Sequence, residues 1–136
     1  MRDAFALRVV TPRRQLLDEQ VREVTAPGTA GEFGVLPDHM TFLTSLEIGT
    51  MSYRAERGVR RVAVRAGFAE VLNNVMTVLA DDAAFAEDID VAAARADLQE
   101  ADAKLRGLSP LDEAYAATDA NRRWAQARIE TAGAGR

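Results

Sequence analysis

The sequence predicts an α+β fold, with an antiparallel β-sandwich over residues 1–86 followed by an antiparallel two-helix hairpin over residues 87–136. Three observations predict it. Eleven of the twelve valines precede residue 82. Alanine does the reverse, with nine in residues 1–82 and seventeen in residues 83–136. Six of the nine glycines lie at or before Gly67. β-Branched residues punctuated by glycine favour strands and turns, whereas alanine with Leu, Glu and Arg favours helix. The composition changes between Asp81 and Asp90.

Strand signals in the first half are short and closely spaced. Residues 4–10 alternate, with Phe5, Leu7 and Val9 on one face, and Pro12 ends the run because it lacks a ladder donor. Residues 21–26 follow, then the turn-rich stretch from Pro27 to Gly31. Further strands are expected at 41–46, 49–55, 60–66, 67–72 and 75–79. Asn73-Asn74 separates the last two and suits a two-residue hairpin turn that needs positive φ. So many short strands in about 80 residues fit a sandwich or a flattened barrel.

Helix signals take over after residue 87. Asp88 or Asp90 can cap a first helix. Val91, Ala94, Leu98, Ala101 and Leu105 recur at spacings of 3, 4, 3 and 4, a heptad-like seam. Gly107 is expected to end that helix, with Ser109 as N-cap and Pro110 at the first position of the next. Leu111, Tyr115, Thr118, Arg122, Ala125 and Ile129 mark a weakly apolar stripe on the second helix. Gly133 to Arg136 read as a frayed tail.

Composition also excludes functions. With 17 basic and 21 acidic residues the net charge is −4, which disfavours a general nucleic-acid binder. The absence of cysteine excludes disulfides, thiolate metal sites and a cysteine nucleophile. His39 is the only histidine, so multi-histidine metal sites are excluded as well. No apolar run reaches 18 residues, and the N-terminal residues carry no apolar segment of the signal-peptide kind. A protein that works by contact, in a reducing compartment, is expected. The Gly28, Gly31 and Gly34 loop leads into β-type residues with no Gly-Lys-Ser/Thr after it, so turns and bulges explain it better than a phosphate cradle.

The ordered segments resemble one family. They are Leu7-Arg8-Val9-Val10-Thr11-Pro12, the run from Ala26-Pro27-Gly28 through Gly34-Val35-Leu36-Pro37-Asp38-His39, Leu46-Glu47-Ile48-Gly49, Gly67-Phe68-Ala69-Glu70-Val71 and Val78-Leu79-Ala80-Asp81, followed by the helical tail. This set is similar to the epsilon subunit of F-type ATP synthases, called delta in mitochondria, along nearly the whole chain. The resemblance implies a ten-stranded sandwich with a C-terminal helical hairpin. It implies a non-catalytic rotor-stalk subunit without a cofactor. The implied partners are the gamma subunit, the membrane c-ring and, through the C-terminal helices, the alpha/beta catalytic head, whose ATP hydrolysis the hairpin restrains. The implied place is peripheral, on the cytoplasmic face of a bacterial inner membrane, with no lipid insertion and no nucleic acid; the lack of a visible transit peptide favours a bacterial source.

The resemblance also assigns residues. Gly31, Glu32 and His39 match positions that face the c-ring, while Ala30 stands where the family has a second acid. Arg122, Arg123 and Arg128 match the basic region that meets acidic surface on the head, with only Glu130 evident nearby as a counter-charge. Trp124 lies within that run as a packing or interface anchor. Asp90 and Arg95 are the nearest match to a nucleotide motif of some bacterial members. Ala93 occupies the arginine position, and Arg95 comes two residues late, turning its guanidinium by about 200° around the helix. Tight ATP binding is therefore not expected.

Two rival functions follow from the residues alone. One is a free-standing β-sandwich interaction module with a coiled-coil docking tail. The other is an enzyme using Asp81-Asp82 and Glu87-Asp88 as paired carboxylates, although helix capping explains acids at that junction more simply.

Overall fold

The computed structural model describes residues 2–133. The strands are β1 (Phe5–Val10), β2 (Gln15–Val21), β3 (Glu23–Gly28), β4 (Gly31–Val35), β5 (Phe42–Ala55), β6 (Gly58–Leu72), β7 (Val75–Ala80) and β8 (Ala83–Phe85). A single 3-10 turn, Ala86–Asp88, leads to α1 (Val91–Arg106) and α2 (Tyr115–Gly133). The described residues thus hold eight strands, not the ten that the resemblance implied. Part of the difference is fusion: the expected strands at 41–46 and 49–55 run on as β5, and those at 60–66 and 67–72 run on as β6.

The strands hydrogen-bond in the order β2-β1-β7-β6-β5-β3-β4, with β8 added on β6. All pairs are antiparallel except β1 with β7, which run parallel. The two long strands turn the sheet upon itself. At Ala66 and Gly67, with φ of +57° and +116°, β6 kinks and changes neighbour. Residues 67–72 pair with β7 and residues 62–64 pair with β8. Gly67 is required there because a Cβ would stand 1.9 Å from the Leu79 carbonyl oxygen.

The alternation expected in β1 holds: Phe5, Leu7 and Val9 are fully buried. β2 escaped the sequence reading because Asp18, Glu19 and Gln20 interrupt its apolar pattern, which it tolerates as a terminal strand of the sheet path. Tyr53, buried in the core, donates its hydroxyl to Glu19 at 3.3 Å. Burial, then the Glu19 charge, pushes its pKa from 10.0 up to about 12. The neutral phenol is therefore favoured in the fold, and its contribution to stability is lost as pH rises from 10.0 towards about 12. The main apolar cluster begins at Phe5 and ends at Phe85, with no residue from either helix.

The hairpin packs through small residues. The α1 seam is buried at Ala94 and Ala101 and half-buried at Val91, Leu98 and Leu105. Asp90 caps α1, its carboxylate accepting from the Ala93 amide at 3.0 Å. Gly107 ends α1 as expected. Ser109 and Pro110 do not start α2. Instead Ser109 and Asp112 form a self-contained turn: the Ser109 amide donates to the Asp112 carboxylate at 2.7 Å and the Leu111 amide to the Ser109 hydroxyl at 3.2 Å. The helix begins only at Tyr115, and Leu111, expected on its stripe, is 95% exposed. From Tyr115 to Ile129 the expected stripe is buried or half-buried. Gly133, expected in a frayed tail, ends α2; residues 134–136 of that tail lie outside the described residues.

A second α2 face meets the sandwich. Trp124 and Ala127 pack on Ala63 of β6, joined by Ile48 and Ile89. The Thr50 and Thr131 hydroxyls hydrogen-bond at 2.7 Å. At the junction, the Arg60 guanidinium lies 4.0 Å over the Phe85 ring and bonds Glu87. That bond holds the Glu87 carboxyl below its usual range. These contacts tie the 3-10 turn to the sandwich, and Ile89 after it packs on the Ala63 and Trp124 cluster.

Candidate functional site

The glycine-rich loop is built by β3 and β4. Gly28 pairs with Gly31 across a two-residue turn, and Gly31 has φ +124°, a conformation closed to most side chains. Glu32 follows on β4, opposite Pro27 and exposed. Leu36 to His39 then reverses the chain, the His39 amide donating to the Leu36 carbonyl at 3.2 Å. Pro37 in the second position and Asp38 at φ +61° in the third give the type II pattern.

His39 is half-buried. Its ring packs edge-on to Phe42, with centroids 5.8 Å apart, and Phe42 in turn meets Phe33 at 5.2 Å. Nδ1 lies 2.8 Å from the Met40 carbonyl oxygen. A carbonyl can only accept, so Nδ1 donates there and Nε2 is the ring nitrogen free to meet an outside group. No hydrogen bond or ion pair joins Glu32 to His39 among the described residues. They are separate polar groups at the two ends of β4, linked through the Phe33, Phe42 and His39 rings; Leu36 and Met40 of the same loop as His39 are 57% and 77% exposed.

A second surface went unread in the sequence. Val10, Leu79 and Phe68 follow one another across β1, β7 and β6 in register. Phe68 and Leu79 are more than half exposed, as is Leu43 on β5. A shallow cleft of about 380 Å³ lies against Val10, Pro12, Phe68 and Leu79. The signal was present in β7, where Val78 and the adjacent Leu79 are both apolar although only one can face the core.

The three arginines of α2 do not form one free basic face. Arg122 bonds Asp119 at 2.9 and 3.2 Å. Arg123 reaches the sandwich and bonds Glu47 at 2.6 Å. Arg128 bonds Asp97 of α1 at 2.8 Å and lies over the Trp124 ring. Glu130, the counter-charge expected from sequence, bonds Gln126 instead. Asp119 was within reach of the sequence reading at i−3; Glu47 and Asp97 come from other elements and were not. Arg65 of β6 adds a further tie, donating to Asn121 at 2.8 Å.

Asp90 and Arg95 are not brought together. Asp90 is occupied in capping α1, and Arg95 is exposed. A cleft of about 250 Å³ between hairpin and sandwich is lined by Arg65, Asp97, Lys104 and Arg128, among others, and by neither candidate. Its Lys104 is paired with Glu100 and its Arg128 with Asp97. No cluster of three or more metal-ligating side chains occurs among the described residues.

Comparison with known proteins agrees with this architecture. Residues 4–86 match the family described as ATP synthase, Delta/Epsilon chain, beta-sandwich domain. The ATP synthase epsilon chain of Citrifermentans bemidjiense is 41% identical, over 98% of this chain and 96% of that one. ATP synthase epsilon chain 2 of Syntrophotalea carbinolica is 42% identical, over 99% of this chain and 98% of that one. Among solved structures, a chain in the OSCP/F1/c-ring assembly of the Euglena gracilis mitochondrial ATP synthase superposes with a TM-score of 0.78 at 25% identity, over 93% of this chain and 79% of that one. A chain in the central stalk/c-ring structure of the Tetrahymena thermophila mitochondrial ATP synthase shares the fold, with a TM-score of 0.65 at 17% identity, over 93% of this chain and 95% of that one. With the sandwich matched as a unit and relatives aligned from end to end, the chain belongs to the delta/epsilon chain family of ATP synthases.

Proposed function

We propose that this chain is a non-catalytic rotor subunit of the central stalk, coupling c-ring rotation to ATP synthesis. The observation that carries the reading is the match to epsilon chains over nearly the whole of both sequences. The surfaces fit the work. The polar segment bearing Gly31, Glu32 and His39 is offered to the c-ring, and the apolar Val10, Leu79 and Phe68 surface to the gamma subunit. The site is peripheral, on the cytoplasmic face of a bacterial inner membrane; no helix among the described residues is long and apolar enough to cross one. A free-standing interaction module would leave the end-to-end match without a reason. Asp90, engaged as the cap of α1, and the exposed Arg95 line no common cleft, which disfavours a nucleotide site there.

The ring contact is tested by substitution. Replacing Glu32 and His39 together with alanine is expected to weaken stalk–ring association and lower ATP-driven ion pumping, with the isolated chain still folded and its melting temperature lowered only by loss of the His39 and Phe42 ring contact. Each single change is expected to be small, since exposed polar contacts are worth roughly 0–1 kcal/mol. Full assembly and coupling in the double variant would remove the assignment.

The hairpin is the proposed regulatory arm. Residues 89–130, extended end to end, would reach about 60 Å at 1.5 Å per residue, enough to run up a rotor shaft. The main sandwich cluster contains no helical residue, which supports a sandwich that folds without the arm, although α2 covers Ala63 and Ile48. A fragment ending at Asp88 is expected to fold and to bind gamma and the ring, read by circular dichroism and by co-purification. Insolubility of that fragment beside a soluble full-length chain would make the hairpin part of the core.

A further inference from the structure

We infer that Asn74 is a positioning residue for the ring-facing turn Leu36–His39, an inference that rests on the reading of that turn as the ring contact. The turn places Asp38 at φ +61°, in the position where a type II turn normally has glycine. An aspartate held there needs partners, and it has them from two other parts of the chain. The Asn74 side-chain oxygen accepts from the Asp38 amide at 2.8 Å. The Asp38 carboxylate accepts from the Arg2 amide at 3.1 Å and lies 3.7 Å from the Arg2 guanidinium.

Asn74 is itself fixed on its other side. Its amide nitrogen donates to the Ala4 carbonyl at 2.9 Å, and its own carbonyl accepts from Ala6 at 3.3 Å. It sits in the β6–β7 turn at φ +62°, beside Asn73 at φ +51°. One side chain therefore ties the turn to the start of β1 and to the β6–β7 hairpin. The residues that this turn presents outward, Leu36, His39 and Met40, have little else holding them to the sandwich besides the His39 and Phe42 ring contact. Asn74 sets their height and orientation without touching a partner.

The matched pair Asn74→Gly and Asn73→Gly tests this in the full chain. Both keep the positive φ of the hairpin turn, and both add the same backbone freedom. Only Asn74→Gly removes the bonds to Asp38 and Ala4. Hydrogen exchange at the Asp38 amide is expected to quicken about fivefold or more in Asn74→Gly, the worth of one hydrogen bond, and to stay unchanged in Asn73→Gly. In the assembled complex, Asn74→Gly is expected to lower ATP-driven ion pumping while ATP hydrolysis by the head is retained, and Asn73→Gly is expected to pump normally. Unchanged exchange at Asp38 would overturn the tie itself. Faster exchange with full coupling would overturn the positioning role, provided that the Glu32 and His39 double variant is impaired. Full coupling in that double variant too would instead bring down the reading of the turn as the ring contact.

Discussion

Replacing Gly67 with alanine is expected to cost about 3 kcal/mol or more, combining the strain of an L residue at strongly positive φ with a backbone clash. The added Cβ would meet the Leu79 carbonyl oxygen at 1.9 Å and the Ala80 Cα at 2.9 Å, both on the strand that Gly67 pairs with. Neither atom can move without breaking the β6–β7 ladder. Against a total stability of roughly 5–15 kcal/mol, such a loss is a large fraction of the whole and sharply lowers the melting temperature. Gly34→Ala is the control: its Cβ would meet only the Val24 carbonyl oxygen, at 3.9 Å, and a change within about 0.5 kcal/mol is expected. Thermal melts of the two variants check this. Equal melting temperatures would mean that the kink at residues 66 and 67 relaxes freely.

The kink also shows where sequence reading stopped. Valine and glycine placed the sandwich, the alternation of Phe5, Leu7 and Val9 placed β1, and Asn73-Asn74 placed a turn whose two residues do have positive φ. The pairing of β1 with β7 is a parallel contact between strands far apart in sequence, and no local pattern encodes it. β8 is three residues long, too short to show a period. Among candidate site residues, Glu32 and His39 stand out through a motif. The partners of Arg123 and Arg128 do not, because Glu47 and Asp97 are brought in by tertiary folding. Asn74 was legible as a turn former, but its bond to Asp38 depends on where the β4–β5 loop lands.

Those tertiary partners give the hairpin prediction its sign. In the docked hairpin Arg123 is held by Glu47 and Arg128 by Asp97, so the proposed head-binding groups are occupied at rest. Removing the arginines and removing their partners should then act in opposite directions. Truncation after Gly107, or alanine at Arg122, Arg123 and Arg128 together, is expected to raise ATP hydrolysis by the complex without impairing synthesis. Glu47→Gln keeps the arginine and loosens its hold. It is expected to shift the hairpin towards extension and to lower hydrolysis about two- to fivefold, the range that roughly 0.5–1 kcal/mol of an exposed ion pair allows. Raised salt should mimic Glu47→Gln in part by screening the same contact. If truncation and the triple variant both leave hydrolysis unchanged, the hairpin is a structural part of the stalk and not a brake. If Glu47→Gln raises hydrolysis, the contact with Glu47 is not what keeps the arm docked.

The central claim is that this chain is a stalk subunit, and subunit composition tests it most directly. A tagged full-length chain is produced in its native cells, the membranes are solubilised gently, and the tag is used to recover whatever the chain holds. Mass spectrometry of the recovered material is expected to show gamma, c, alpha and beta subunits in fixed proportion to the tagged chain. The same tag on a chain ending at Asp88 is expected to retain gamma and c. Recovery of the full-length chain alone, or with none of the ATP synthase subunits, would contradict the account.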